Sequence, residues 1–311
     1  MSGWMDGGGA NGPAARAPRG WLVSNARVNS EKFVELREHL ARDASDAGAE
    51  LTCMTNFELA RVAPIGGGCG PEPPDFILFW DKDVALARVL ELTGTPIFNR
   101  PAAIAACDNK MDTFLALAAA GIPQPDTLPV PKLFHPASWG DGTGRAFIAD
   151  AVARLGFPLV AKECYGSFGA QVHLANDEAE LIRILNSFEA RPALLQRYVP
   201  ESAGTDARLQ VVGGRVEAAM RRTARPGDFR ANLTNGGSAE PYDPDEAEIE
   251  LALGACRALG LDFAGVDILR GADGPLVCEV NSNAHFINME RCTGVNIGAL
   301  IIAHILRSIG R

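Results

Sequence analysis

Three groups of residues in this 311-residue chain could do chemistry. The first lies near the C-terminus. Strand-like alternation over 263–269 puts Ala264, Val266 and Ile268 on one face and Asp267 on the other. Over 276–281, Leu276, Cys278 and Val280 share one face, while Glu279 and Asn281 point the opposite way. Gly271-Ala272-Asp273-Gly274 between the two suits a hairpin, and one register sets Asp267 directly opposite Glu279. Two carboxylates ~5 Å apart repel unless positive charge sits between them. Three oxygen ligands on one sheet face suit Mg²⁺ and leave room for waters and phosphates. From this pattern alone, a metal site and the solvated face of an exposed hairpin are equally good readings.

The second group is Lys162-Glu163-Cys164-Tyr165-Gly166-Ser167-Phe168-Gly169-Ala170-Gln171-Val172. An apolar strand ends in a lysine, and a glycine-containing loop leads into another strand. Backbone N–H groups of such a loop can close over phosphates while the lysine supplies charge. It is neither a Walker loop nor a dinucleotide fingerprint, since no Gly-Lys-Ser/Thr follows and no helix opens. For the glycines alone an ordinary hairpin turn is the better reading. The third group is basic. Arg221, Arg222, Arg225 and Arg230 concentrate charge around Phe229-Arg230-Ala231-Asn232-Leu233. Clustered arginines can neutralise a polyphosphate or a developing phosphoryl charge, or simply form a solvated basic face.

These groups need elements to hold them. Residues 1–20, with Gly7-Gly8-Gly9, Pro13 and Pro18, read as a disordered tail. Residues 21–100 alternate strand and helix. Trp21-Leu22-Val23 starts a strand, Ser30 caps a helix to about residue 47, and a strand follows near Leu51. After a Gly/Pro-rich loop over 64–74 comes the apolar run Phe76-Ile77-Leu78-Phe79-Trp80, then a helix opened by Asp81 and a short strand at Pro96-Ile97-Phe98. That is a small α/β domain with a parallel sheet. Beyond it the texture is α+β. Helical patterns cover 109–120, 145–155, 177–188 and 244–259, and strands cover 159–162, 171–174, 193–197, 208–212, 215–220, 263–269 and 276–281. Gly213-Gly214 marks a hairpin, and 129–144 reads as a loop between lobes.

Composition narrows the function classes. Hydrophobic residues make up 47% and charged residues 22%, with a net charge of −9. An acidic chain of this kind disfavours nucleic acid or an anionic membrane as main partner, without excluding one local basic groove. No apolar run reaches ~18 residues, and no secretion signal is read at the start. The seven cysteines are scattered, which reads as reduced cytoplasmic thiols rather than a disulfide framework or zinc site.

The order of the chemical groups resembles the ATP-grasp superfamily, and most closely the RimK-type carboxylate–amine (alpha-L-glutamate) ligases. The resemblance covers roughly residues 99–311. It rests on Asn109-Lys110 with Gly121-Ile122-Pro123-Gln124-Pro125, Lys162 with Tyr165-Gly166-Ser167-Phe168-Gly169, and Gln196-Arg197-Tyr198-Val199. Phe229-Arg230-Ala231-Asn232-Leu233, Gly265-Val266-Asp267 and Glu279-Val280-Asn281-Ser282 complete it. The fold it implies is ATP-grasp: an N-terminal Rossmann-like α/β domain over 21–100, a central lobe over 101–195 and a C-terminal lobe over 196–311, the two lobes clasping ATP.

The same resemblance assigns roles. Lys110 and Lys162 would hold the ATP phosphates, helped by the loop of Tyr165, Gly166, Ser167, Phe168 and Gly169. Gln196, Arg197, Tyr198 and Val199 would receive adenine, with Glu201 and Asp206 near the ribose. Arg230 and Asn232 would meet the reacting phosphate and carboxylate. Asp267, Glu279 and Asn281 would ligate Mg²⁺, one ion or two, for which Mn²⁺ can substitute. The expected reaction is amide-bond formation through an acylphosphate, in a cytoplasmic protein that can be a homo-oligomer and needs neither nucleic acid nor membrane. A natural-product or carrier-protein tailoring ligase, or an inactive ATP-binding scaffold, are the alternatives. One stretch departs from the pattern. Where RimK-type ligases continue with small residues and proline, this chain has Asn283-Ala284-His285-Phe286-Ile287-Asn288, near the expected substrate site. His285 reads equally as a packed histidine and as a substrate contact. The Ser24-Asn25-Ala26-Arg27 turn at the end of the first strand is a weaker candidate for ligand contact.

Overall fold

The computed structural model describes residues 16–62, 72–166, 169–231, 233 and 236–311. Expectations for residues 1–15, most of the 64–74 loop, Ser167, Phe168 and Asn232 fall outside these. Strands β1 (Arg19–Ser24), β2 (Glu50–Thr55), β3 (Phe76–Trp80) and β4 (Ile97–Phe98) form a parallel sheet in the order β2-β1-β3-β4. Helices α1 (Glu31–Asp46), α2 (Asn56–Val62) and α3 (Val84–Glu91) alternate with them. All five residues of β3 are buried, as a continuous apolar run requires of a strand covered on both faces. The first strand opens at Arg19, two residues earlier than its apolar run. The Arg19 amide donates to Asp75 Oδ2 at 2.7 Å, which extends the pairing outward.

Two helices, α4 (Pro101–Asp108) and α5 (Lys110–Ala119), lead into the central lobe. There β5 (Thr127–Pro129), β6 (Leu159–Glu163), β7 (Val172–Ala175) and β8 (Ala193–Arg197) form an antiparallel sheet ordered β5-β8-β6-β7. Helices α6 (Gly142–Leu155) and α7 (Glu178–Ser187) complete it. Much of the 129–144 stretch is irregular, but it packs on this lobe: Trp139 is buried beside Phe147, and its amide donates to Asn186 Oδ1 at 2.9 Å.

The third sheet is ordered β11-β10-β9-β12-β13. Its strands are β9 (Thr205–Val212), β10 (Arg215–Thr223), β11 (Ser238–Pro241), β12 (Phe263–Gly271) and β13 (Gly274–Asn281). Helix α8 (Glu246–Leu259) covers it, starting at a capping box between Asp245 and Glu248 and stopping at Gly260, whose φ of +67° favours glycine. Two helices absent from the sequence reading follow, α9 (Ile287–Thr293) and α10 (Ile297–Ser308). Among the described residues no single helix is long and apolar enough to cross a membrane.

The N-terminal sheet and the C-terminal lobe share one core. Leu36 and Leu40 of α1, Trp80, Phe263, Phe286 and Ile301 of α10 belong to a single buried cluster. Trp80 stacks on Phe263 at 5.5 Å and meets the Phe286 ring edge-on at 5.6 Å. Fully buried Asn99 fastens the join: its Nδ2 donates to the carbonyls of Phe263 and Ser282 at 2.9 and 2.8 Å, and its Oδ1 accepts from the Asp262 amide at 2.7 Å. The packing fixes where the loop after β13 lies, and that loop borders the site.

Candidate active site

A cleft of about 600 Å³ lies between the two antiparallel lobes and runs under the ends of β1 and β3. Strand β6 delivers Lys162 to it. Lys162 is buried, and its Nζ donates to Gln196 Oε1 on neighbouring β8 at 2.7 Å; Gln196 in turn donates to Thr127 at 2.9 Å. Lys110, at the start of α5, reaches the Gly166 carbonyl at 3.3 Å and Glu279 Oε1 at 3.6 Å. The two lysines therefore come from different elements and meet the β12–β13 hairpin from the opposite side of the cleft.

Asp267 pairs with Glu279 and Gly265 with Asn281, as expected, but a bulge between Asp267 and Ile268 breaks the alternation, so that Val277 and Val280 are buried while Cys278 lines the cleft with Glu279. Glu279 takes its counter-charge from Lys110, while Asp267 takes it from arginines the sequence reading did not single out for this place. Arg208 of β9 donates to both Asp267 oxygens at 2.6 and 2.7 Å. Arg222 of β10 donates to both Asp206 oxygens at 2.7 and 2.6 Å and also reaches Asp267 Oδ2 at 2.9 Å. Burial pushes the Asp267 carboxyl up, but Arg208 and Arg222 outweigh it and hold it below the usual range. For Asp206 burial wins over Arg222 and pushes the carboxyl up to about 6.

The oxygen set fits Mg²⁺. Two carboxylates and one amide are hard oxygen donors. A carboxylate has about four lone-pair sites, so Asp267 keeps one beyond its three N–H donors. Asn281 Nδ2 is buried with no hydrogen-bond partner, while its amide oxygen is open to the cleft. Among the described residues no cluster of three His, Cys, Asp or Glu side chains is arranged for a metal, so an ion here needs the amide as well.

The basic segment divides. Arg222 faces the cleft, but strand alternation turns Arg221 outward, over the Tyr242 ring at 4.6 Å. Arg225 lines a separate hollow beside Val172 and Arg183. Arg230 donates to Asp228 at 3.0 Å and to the Gly169 carbonyl at 2.8 Å, which ties the arginine segment to the glycine loop. Gln196, Arg197, Tyr198 and Val199 line the cleft, although the Arg197 guanidinium turns away to Asp126 at 2.9 Å. Glu201 is exposed and does not line the cleft, and Asp206 presents its oxygens to Arg222. Tyr165 is exposed, with Asn109 3.5 Å from its hydroxyl. Ser24 and Asn25 do line the cleft. Among the described lining residues ten are basic and five acidic, a formal +5 inside a chain of −9. The six described cysteines are free thiols.

A parallel sheet followed by two antiparallel lobes around a cationic cleft is the ATP-grasp fold. Solved structures agree on that fold. A RimK domain ATP-grasp protein from Sphaerobacter thermophilus DSM 20745 superposes with a TM-score of 0.70 at 23% identity, over 92% of this chain and 98% of that one. D-alanine–D-alanine ligase from Bacillus anthracis complexed with ATP superposes with a TM-score of 0.70 at 20% identity, over 95% and 99%. The profile of the RimK-like ATP-grasp domain matches residues 107–305, and the chain belongs to that family. Human N-acetylaspartylglutamate synthase A is 35% identical over 90% of this chain and 74% of its own. A probable alpha-L-glutamate ligase 2 of Hahella chejuensis is 36% identical over 72% and 71%. Beta-citrylglutamate synthase B of Danio rerio is 35% identical over 73% of this chain, which spans only 54% of that protein.

Proposed function

We propose that this chain is an ATP- and Mg²⁺-dependent ligase that joins a carboxylate to an amine, adding an amino acid such as glutamate to a peptide, protein or small carboxylate. One observation carries the reading: a +5 cleft in a −9 chain, with Lys110 and Lys162 facing the oxygen set of Asp267, Glu279 and Asn281. The naming of relatives as glutamate ligases and as synthases of glutamate conjugates supports glutamate as the amine.

In this reading Lys110 and Lys162 hold the ATP phosphates with backbone N–H groups of the loop around Gly166 and Gly169, and Gln196 to Val199 border the adenine. Asp267, Glu279 and Asn281 would hold Mg²⁺, which spreads phosphoryl charge when bound. Arg230, with Asn232, meets the reacting phosphate and carboxylate. The substrate carboxylate oxygen attacks the γ-phosphorus, the bond to ADP breaks, and an acylphosphate results. The amine nitrogen then attacks the acyl carbon, loses a proton, and phosphate leaves. No side-chain nucleophile is needed. Lysine and arginine charges aimed at the developing phosphoryl and oxyanion charge are worth most in a partly desolvated cleft.

The test is nucleotide release measured against a matrix of amino acids and carboxylate acceptors. The reading predicts ADP and phosphate only when a carboxylate and an amine are both present. Tight ATP binding with no ADP from any pair would favour a scaffold, and activity confined to carrier-bound or natural-product carboxylates would favour a tailoring ligase.

A further inference from the structure

Asp267 is buried, and its lone pairs are nearly all occupied. Arg208 stands directly opposite it on β9. Two parallel N–H groups of that guanidinium reach one carboxylate oxygen each: Nε donates to Oδ1 at 2.6 Å and Nη2 to Oδ2 at 2.7 Å. A fork of this kind sits on the edge between the two oxygens. That is also the edge through which a carboxylate chelates a cation with both oxygens at once. Arg222 Nη2 brings a second donor to Oδ2 at 2.9 Å. Each carboxylate oxygen has about two lone pairs, so Oδ2 is spent and Oδ1 keeps one. Among the described residues Asp267 is the one side chain that Arg208 pairs with, so nothing competes for the fork. Glu279 is different. Its side chain is 38% exposed, and Lys110 Nζ stands 3.6 Å from Oε1, too far for a hydrogen bond. Both Glu279 oxygens therefore stay open to an ion.

We propose that Arg208 sets the cation choice of the site by restricting Asp267 to a single ligating oxygen, Oδ1. Mg²⁺ is small, demands near-octahedral geometry and keeps waters and phosphates around it, so one oxygen from this carboxylate suits it. Ca²⁺ takes about six to eight oxygens and commonly uses both oxygens of a carboxylate. With the fork in place, Asp267 cannot serve Ca²⁺ in that way. Charge balance alone does not call for this arrangement. A lysine would supply the same charge from one point, whereas the planar fork covers the chelating edge. Arg208 acts on the ion through Asp267, so it is a positioning residue. The inference rests on the assignment of Asp267, Glu279 and Asn281 to the ion made above.

The experiment reads ion binding, not turnover. Mn²⁺ is bound in the presence of ADP, followed by the protein-dependent loss of its free-ion electron paramagnetic resonance signal, and displaced by Mg²⁺ or by Ca²⁺. The two displacements give a preference, Mg²⁺ over Ca²⁺, which is compared between the unaltered protein and Arg208→Lys. That variant keeps the charge and loses the fork. Changes behind metal ligands move metal affinity by about 10–100-fold, so the preference for Mg²⁺ should fall about 10-fold in Arg208→Lys. Arg208→Met removes the charge as well, so it should tighten both ions and lower the preference similarly. A role in charge balance alone predicts an unchanged preference in both variants, with tightening only in Arg208→Met, and that result would overturn the proposal. Should neither variant fold, a crystal structure of the unaltered protein with Mn²⁺ and ADP decides. Oδ1 alone on the ion, with Arg208 still on both oxygens, is the expected arrangement; chelation by both Asp267 oxygens would overturn the proposal. Glu279→Ala keeps the two claims apart. Mn²⁺ bound as tightly in that variant as in the unaltered protein sinks the site assignment itself. Mn²⁺ lost in Glu279→Ala, with an unchanged preference in Arg208→Lys, sinks only the role of Arg208.

Discussion

Arg222→Met removes the guanidinium that joins Asp206 to Asp267. In the folded protein two arginines, Arg208 and Arg222, balance these two aspartates. Side-chain exposure is 9% for Arg222, 11% for Asp206 and 5% for Asp267, so values for buried pairs apply rather than those for surface pairs. Without Arg222 the cluster holds one surplus negative charge. Removing one partner of a buried pair costs ~3–5 kcal/mol, and Met retains much of the apolar stem, so little of this is a cavity effect. The pH dependence follows from linkage. The surplus charge raises the Asp206 carboxyl further above its unfolded value, and it already stands at about 6 in the unaltered protein. A raised carboxyl makes the folded state bind the extra proton, so the penalty is full above the folded-state pKa and shrinks as pH falls through it. Each pKa unit of difference corresponds to ~1.4 kcal/mol. At pH 7.5, about 1.5 units above the Asp206 value of about 6, uptake of a proton caps the loss at ~2 kcal/mol, so thermal melts should show Tm lowered by ~4–8 °C on a scale of ~2–4 °C per kcal/mol, and by less than half of that at pH 5.5. Adding Asp206→Asn should restore much of the loss at pH 7.5. A drop below about 2 °C, or an equal drop at both pH values, would show that the cluster is hydrated and that its charges do not depend on one another.

Lys162→Ala and Glu279→Ala should each reduce ADP release by ~10²–10³-fold or more, read by coupled ADP assay, because in the proposed reading each removes a charge aimed at the transferring phosphate or its ion; full turnover in both would refute the site assignment. Asn99→Leu leaves the Phe263 and Ser282 carbonyls and the Asp262 amide unpaired. It should cost ~2–4 kcal/mol in denaturant unfolding, and a loss under ~0.5 kcal/mol would mean water reaches the join.

Much of the site's backbone was legible before its partners were. Strand patterning placed Asp267 across from Glu279 in one register, but the turn alone would set Asp267 opposite Cys278, and a bulge between Asp267 and Ile268 brings Glu279 there. Arg222 was not legible at this place, because a bulge moves it. Around Gly213-Gly214 the hairpin begins with Arg215 opposite Val212, a register that carried on would set Arg221 opposite Asp206. The shift between Val216 and Ala218 brings Arg222 there instead. Helix α10 escaped notice because Ile-Gly-Ala-Leu-Ile-Ile-Ala is apolar nearly all round, so it shows no clear face to period counting. Its burial against α1 explains that composition, and only the fold could say so. His285 was singled out as a departure from a pattern, but its hydrogen bond to the Lys32 carbonyl, 253 positions away in sequence, could come only from the fold.

The central claim is that a substrate carboxylate is activated as an acylphosphate in this cleft. Supplying the carboxylate labelled with ¹⁸O, together with ATP, Mg²⁺ and the amine, tests it directly. The account predicts ADP as the nucleotide product and one ¹⁸O atom transferred to inorganic phosphate for each amide bond formed. AMP and pyrophosphate as products, or amide formation with unlabelled phosphate, would contradict it.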